Sequence, residues 1–211
     1  MSQFFYIVLG LIGMLGLIMI IWRCSSHQSS LPCPAWLSWL VELDNPLFRN
    51  NSARSILSHL NLEPGMKILD FGCGPGRLTI PAAKQIGPDG EVTAFDIQER
   101  MLQKVRAKAL AENLNNIRTI QGEAGNGRLE NNRYDRALLV TVLGEIPDQT
   151  AALTEIFTSL KPGGILSVTE VIADPHFQRR RSVIQVAESV GFRKYDFFGN
   201  RLSYTINFQK S

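Results

Sequence analysis

"ILDFGCGPGRLTIPAAK", Ile68 to Lys84, passes from an apolar run through an acid and three alternate glycines into apolar residues at helical spacing. Gly72, Gly74 and Gly76 follow a short β-rich run directly. In doubly wound sheets, ligands bind at the carboxyl ends of the strands, beside the switch point. Backbone stripped of side chains at that place allows a ligand to come close. The spacing is GxGxG; a dinucleotide fingerprint would need its third glycine where Arg77 stands.

Outward from this stretch, β-rich runs alternate with helical patterns. Strands are predicted at 67–71, 91–97, 117–122, 134–140 and 164–171, with helices near 77–86, 98–112, 148–160 and 178–190. "LVTV" and "ILSV" are continuous apolar runs, as strands covered on both faces require. The alternation predicts right-handed crossovers and a mostly parallel sheet. "RKYDFFG" and "SYTINFQK" are joined by too short a link for a crossover, so they pair antiparallel. The expected fold is α/β: a doubly wound, seven-stranded, mostly parallel Rossmann-like sheet ending in an antiparallel hairpin.

Two acids specify the ligand. Asp96 lies twenty residues past Gly76, at the end of the second strand. An acid there accepts hydrogen bonds from both hydroxyls of a ribose, which points to an adenosine. Asp70 stands two residues before the first glycine. A carboxylate there repels a pyrophosphate and attracts a sulfonium or an α-ammonium. A cationic adenosine ligand satisfies both, and S-adenosyl-L-methionine is the obvious one.

From Leu62 to the C-terminus the chain resembles the class I S-adenosylmethionine-dependent methyltransferases. "LDFGCGPG" resembles their first motif and "AFDI" their ribose-acid motif. "QGEAG" stands where the family has its adenine-contacting turn, and "LKPGG" at the turn before the fifth strand. The resemblance implies that Gly72, Gly74 and Gly76 lie under the methionyl part, that Asp96 binds the ribose, and that Ile97 packs on adenine. It also implies that backbone near Val140 and Thr141 meets the methionine ammonium. The adenine turn carries Glu123 where Asp is usual, which gives the backbone N–H of Ala124 more weight. A role in binding the cofactor is thus expected for Asp70, Glu123, Ala124 and Val140 as well.

Methyl transfer from a sulfonium is an in-line displacement, so alignment is the protein's main contribution. A base is needed only for an acceptor protonated at working pH. Glu145, after the fourth strand, and Glu170, at the end of the fifth, are the candidates. His176 reads as a loop histidine at the surface. No NPPY-like tetrad is present, and the core, 62–211, holds no Pro-Cys nucleophile pair.

Composition is 45% hydrophobic and 19% charged with net charge +3, which does not argue for nucleic acid. Three cysteines without a CxxC imply neither a disulfide framework nor a zinc site, and no metal is expected. Arg179, Arg180 and Arg181 form the densest basic cluster and read as a solvated helix face.

"FFYIVLGLIGMLGLIMIIW", Phe4 to Trp22, carries no charge. Its length suits the hydrocarbon core of a bilayer, and its flanks do not suit a cleaved signal. The expected organisation is a transmembrane helix over 1–23, a Ser- and Pro-rich linker over 24–34, and a methyltransferase domain over 35–211. That domain divides into a helical segment, 35–61, and the core, 62–211. A single-pass membrane protein with its catalytic domain in the cytoplasm follows, given Arg23 after Trp22. Trp36, Trp39, Leu40 and Leu43 share one helical face that either packs on the domain or lies at a membrane surface. Short loops after the fourth and fifth strands leave the segment from Trp36 to Leu60 to complete the acceptor pocket. A small lipophilic acceptor is expected: a lipid, a quinone-like ring or a hydrophobic thiol. A protein methyltransferase at the membrane and a non-catalytic cofactor-binding module are the other readings.

Overall fold

The structure, a computed structural model, describes residues 51–211 together with residues 5–7, 10, 13 and 14. Seven strands are β1 (Lys67–Phe71), β2 (Glu91–Asp96), β3 (Ile117–Gln121), β4 (Tyr134–Val140), β5 (Leu160–Val171), β6 (Phe192–Gly199) and β7 (Ser203–Lys210). Within residues 51–211 the α-helices are α1 (Ala53–Ser58), α2 (Thr79–Ile86), α3 (Glu99–Ala111), α4 (Gln149–Ser159) and α5 (Arg180–Ser189). The strands form one sheet in the order β3-β2-β1-β4-β5-β7-β6.

Alternation along the central strands sorts side chains onto two apolar faces. Leu69, Phe71, Phe95 and Leu139 pack with Leu153 and Ile156 of α4 and Val183 of α5. Ile68, Val92 and Leu138 point the other way, onto Ile56 and Leu57 of α1 and Ala82 and Ile86 of α2. Leu102 and Val105 of α3 close over Cys73 and Ala94 on that second side. Burial on both faces is why these strands read as unbroken apolar runs.

β1 pairs in parallel with β2 on one side and with β4 on the other. The chain reverses its direction of winding between β1 and β4, so the glycine turn after β1 sits at the switch point.

The structure departs from the sequence expectation at two boundaries near the site and in the placement of the last strands. α2 starts at Thr79 rather than 77, because the glycine turn runs on through Gly76, which has φ +88°. β5 starts at Leu160 rather than 164: Leu160 already pairs with Tyr134, and the register then shifts before Ile165. β6 and β7 pair antiparallel as expected, but β7 inserts between β5 and β6, antiparallel to both.

The tether over 24–34 and the Trp36–Leu43 helix lie outside the described residues, as does most of the apolar run from Phe4 to Trp22. The expected single-pass membrane localisation is corrected: among the described residues, no helix is long and apolar enough to cross a membrane. Spanning needs roughly 20 continuous apolar residues. The longest described helix outside that run, α3, has 13 and exposes a charged face.

Candidate active site

The glycine turn folds back over the end of β2. Gly72 N and Cys73 N both donate to Phe95 O, at 2.8 and 3.0 Å. The three glycines do different jobs. A Cβ on Gly72 would lie 2.5 Å from a Val142 methyl, and one on Gly76 would lie 3.1 Å from Val105 of α3. Those two allow close packing. Gly74, at φ +52°, would direct a Cβ into open space, with nothing within 4 Å. Its bare backbone is the part of the turn that a ligand can approach.

Asp96 binds this turn. Its Oδ2 accepts from Gly74 N at 2.9 Å and its Oδ1 from Gln98 N at 2.8 Å. The residue is buried, and burial raises its pKa against the pull of those two amides. Each oxygen keeps a further lone pair, so the carboxylate can still accept hydroxyl donors. Ile97, next along, is 50% exposed, an apolar platform beside an acid. Open backbone, acid and platform in sequence fit an adenosine with a chain attached.

Asp70 is buried below the turn, and its Oδ2 accepts from the Thr79 hydroxyl at 2.6 Å. Burial lifts its pKa to about 6, opposed by Thr79 and Arg77 and assisted by Asp96. Arg77 also donates to Asn51 O at 2.7 Å, linking the turn to the segment before α1. Burial pushes the Cys73 thiol well up, and the two aspartates add to it, so packing describes this cysteine better than reactivity.

The loop after β3 carries Glu123 and Ala124. Glu123 is exposed, its Oε2 accepting from Asn126 Nδ2 at 3.1 Å, while Ala124 is half-buried against the larger core. A residue that motif reading missed holds this loop. Glu155 of α4 accepts from Gly125 N, Arg128 N and Leu129 N, at 2.7, 2.6 and 3.1 Å. A signal was present: Glu155 occurs in the inward-facing set Ala152, Leu153, Ile156 and Ser159.

At the ends of β4 and β5, Val140 is half-buried and Thr141 takes φ +53° while its N–H donates to Thr169 O at 2.8 Å. A β-branched residue in that region stores of order 1–3 kcal/mol of strain. A 3-10 turn, Leu143–Glu145, follows. Glu145 is half-buried, whereas Glu170 is buried. The Glu170 Oε2 accepts from Gln178 N at 3.0 Å; its Oε1 has no hydrogen-bond partner. Burial pushes Glu170 up to about 8, and Asp174 and Glu145 add to the shift. The Tyr204 hydroxyl donates to Gln178 O at 2.6 Å, closing the same loop over the sheet.

His176 is 5% exposed, not at the surface. Its N–H donates to Asp174 Oδ1 at 2.7 Å and its carbonyl accepts from Gln178 Nε2 at 2.9 Å. The loop folds down onto the turn after β4, which is what buries it.

A sheet of this order, with a glycine turn after β1 and a buried acid at the end of β2, defines a Rossmann-like fold. The chain belongs to the methyltransferase domain family, which matches residues 62–190, and is a class I S-adenosylmethionine-dependent methyltransferase domain. A methyltransferase from Aquifex aeolicus described as S-adenosylmethionine-dependent superposes with TM-score 0.75 at 20% identity, over 85% of this chain and 100% of that one. Phosphoethanolamine N-methyltransferase 2 of Haemonchus contortus, solved with S-adenosyl-L-methionine, has TM-score 0.62 at 20% identity, over 70% of this chain and 38% of that one. The demethylmenaquinone methyltransferase of Staphylococcus haemolyticus is 34% identical over 117 residues, 56% of this chain and 48% of that protein. The chain thus spans about half the length of the curated relatives it matches.

Proposed function

We propose that the protein transfers a methyl group from S-adenosyl-L-methionine to a small lipophilic acceptor of the quinone-like ring class. The observation that carries the donor half is the open backbone of Gly74 held 2.9 Å from Asp96, with the exposed Ile97 beside it. The acceptor half is supported by the demethylmenaquinone methyltransferase relatives.

S-adenosylmethionine, when bound, supplies a methyl already activated by sulfonium. The residues of this chain have the work of binding and alignment. Asp96 accepts from the ribose hydroxyls, and Ile97 covers one adenine face. Glu123 and the Ala124 N–H meet the adenine edge. Gly74 and the backbone at Val140 and Thr141 line the methionyl part, with Gly72 and Gly76 packing the turn beneath it. Asp70 acts from beneath the turn through its field, which favours a cation above it. Of the two carboxylates near the acceptor, Glu145 is the more accessible and is assigned the base role, taking the proton that the acceptor loses. Glu170 holds the loop after β5. Ile56 and Leu57 of α1 pack in the same core, which supports counting α1 within the domain.

Asp96→Ala is expected to weaken binding of S-adenosylhomocysteine by about 1.5–3 kcal/mol, the range for hydrogen bonds to a charged group. Calorimetric titration reads this directly; unchanged affinity removes Asp96 from the site. Incubation with tritium-methyl donor and a cell extract should then put label in the organic-extractable, quinone-containing fraction. Label in protein would favour a protein methyltransferase, and binding without any transfer would favour a non-catalytic module.

A further inference from the structure

Glu155 is a buried carboxylate, 7% exposed, whose side-chain partners are three main-chain N–H groups on a single loop. A carboxylate is costly to bury unless hydrogen bonds replace its water. Three amides do so here, and all come from residues 125–129. The same loop is pressed on α4 from a second direction: a Cβ on Gly125 would lie 2.8 Å from the Ala151 Cβ. Gly125 and Gly127 both have positive φ, +86° and +68°, so the loop's own sequence does little to fix its shape. Its shape is set by α4. The N-terminus of that helix follows the turn Leu143–Glu145, with Asp148 as its cap, accepting from Ala151 N at 2.8 Å.

We propose that Glu155 is a positioning residue: it holds the loop carrying Glu123 and Ala124 in the shape that reads the adenine edge of the cofactor. This rests on the reading above, in which that loop meets adenine. Holding a glycine-containing loop in its bound shape beforehand removes an ordering cost from binding. Glu155 touches no ligand in this scheme. Its effect is on nucleobase selectivity, which a residue needed only for folding would leave alone.

The test uses the full chain and two ligands, S-adenosylhomocysteine and S-inosylhomocysteine, which differ only at the base edge. Wild type should prefer the adenine compound. Glu155→Gln keeps the size of the side chain but turns one acceptor oxygen into a donor that faces an amide. Its preference should fall by about tenfold, while hydrogen exchange at residues 125–129 accelerates and β1, β2 and β4 stay protected. Gly125→Ala pushes the loop off α4 with Glu155 intact and should lower the preference likewise, which keeps the test available if the first variant folds poorly. Faster loop exchange with undiminished preference in either variant overturns the proposal. Wild type that binds both ligands equally overturns it too, while leaving cofactor binding in place. Wild type that binds neither would instead remove the underlying functional reading, and this proposal with it.

Discussion

Glu170→Gln is expected to make the protein more stable at alkaline pH, and to flatten the decline of its stability between about pH 5 and 8. Glu170 has its pKa raised from 4.5 to about 8, chiefly by burial. Between those values the folded state holds a proton that the unfolded state releases. The group's contribution is fully present below pH 4.5 and is lost as pH rises through 8. The slope is about 1.4 kcal/mol per pH unit, so the full span is about 5 kcal/mol. Gln stays neutral throughout, and its oxygen can take over the hydrogen bond from Gln178 N. Its amide N–H group then occupies the position of the partnerless Oε1, at a cost of about 1–3 kcal/mol. The net gain near pH 9 should therefore be about 2–4 kcal/mol, vanishing or reversing near pH 5. Urea denaturation of both proteins from pH 5 to 9 measures it, and parallel curves would refute it. Asp70, raised to about 6, adds a similar slope at lower pH in both proteins and cancels in the comparison. The same variant separates the two candidate bases. Methyl transfer should survive Glu170→Gln and fall by about a hundredfold or more in Glu145→Gln; the opposite pattern would exchange their roles.

The candidate donor side stands out in the sequence because its residues are nearly consecutive and lie at strand ends. Gly72 to Gly76 and Asp96 occur at strand ends, where spacing along the chain equals position in the fold. Even there the sequence under-reported. Asp96 has a structural task, binding Gly74 N, and Gly72 and Gly76 make room for Val142 and Val105 as well as for any ligand. Glu155 escaped a motif reading because its partners are backbone amides 26 to 30 residues earlier, which have no letter of their own. His176 was misread because burial of a loop depends on what another loop does. The insertion of β7 between β5 and β6 is likewise not fixed by the short hairpin link, since either arm of a hairpin could pair with β5. The clue is the charged, exposed β6 beside the buried β7. Hydropathy of the N-terminal apolar run implied a membrane span; most of that run lies outside the described residues, among which no helix is long and apolar enough to be one.

Gly144→Ala should be the most damaging single methyl group added to this protein. A Cβ at Gly144 would lie 1.9 Å from His176 O, 2.7 Å from Gln178 Nε2 and 2.8 Å from His176 C. Two of those three atoms are backbone, so no rotamer change relieves the contact. Neither chain can withdraw cheaply. On one side, Thr141 N is bonded to Thr169 O, and Leu143 is fully buried. On the other, the His176 carbonyl accepts from Gln178 Nε2, Gln178 N donates to Glu170, and Tyr204 donates to Gln178 O. Separation of the loops means overpacking at about 1–3 kcal/mol. It also breaks at least one buried hydrogen bond, at a further 1–3 kcal/mol. The expected loss is thus about 2–6 kcal/mol, a large part of a typical domain's stability. Gly65→Ala is the control. Its φ of +83° strains an alanine, but nothing lies within 4 Å, so only the backbone cost of about 1 kcal/mol applies. Denaturation of both variants beside wild type decides the matter. Equal losses would mean that the two loops are not locked together. A larger loss for Gly144→Ala, with methyl transfer falling further than cofactor affinity in the fraction that folds, would identify this backbone contact as what sets Glu145 against the acceptor.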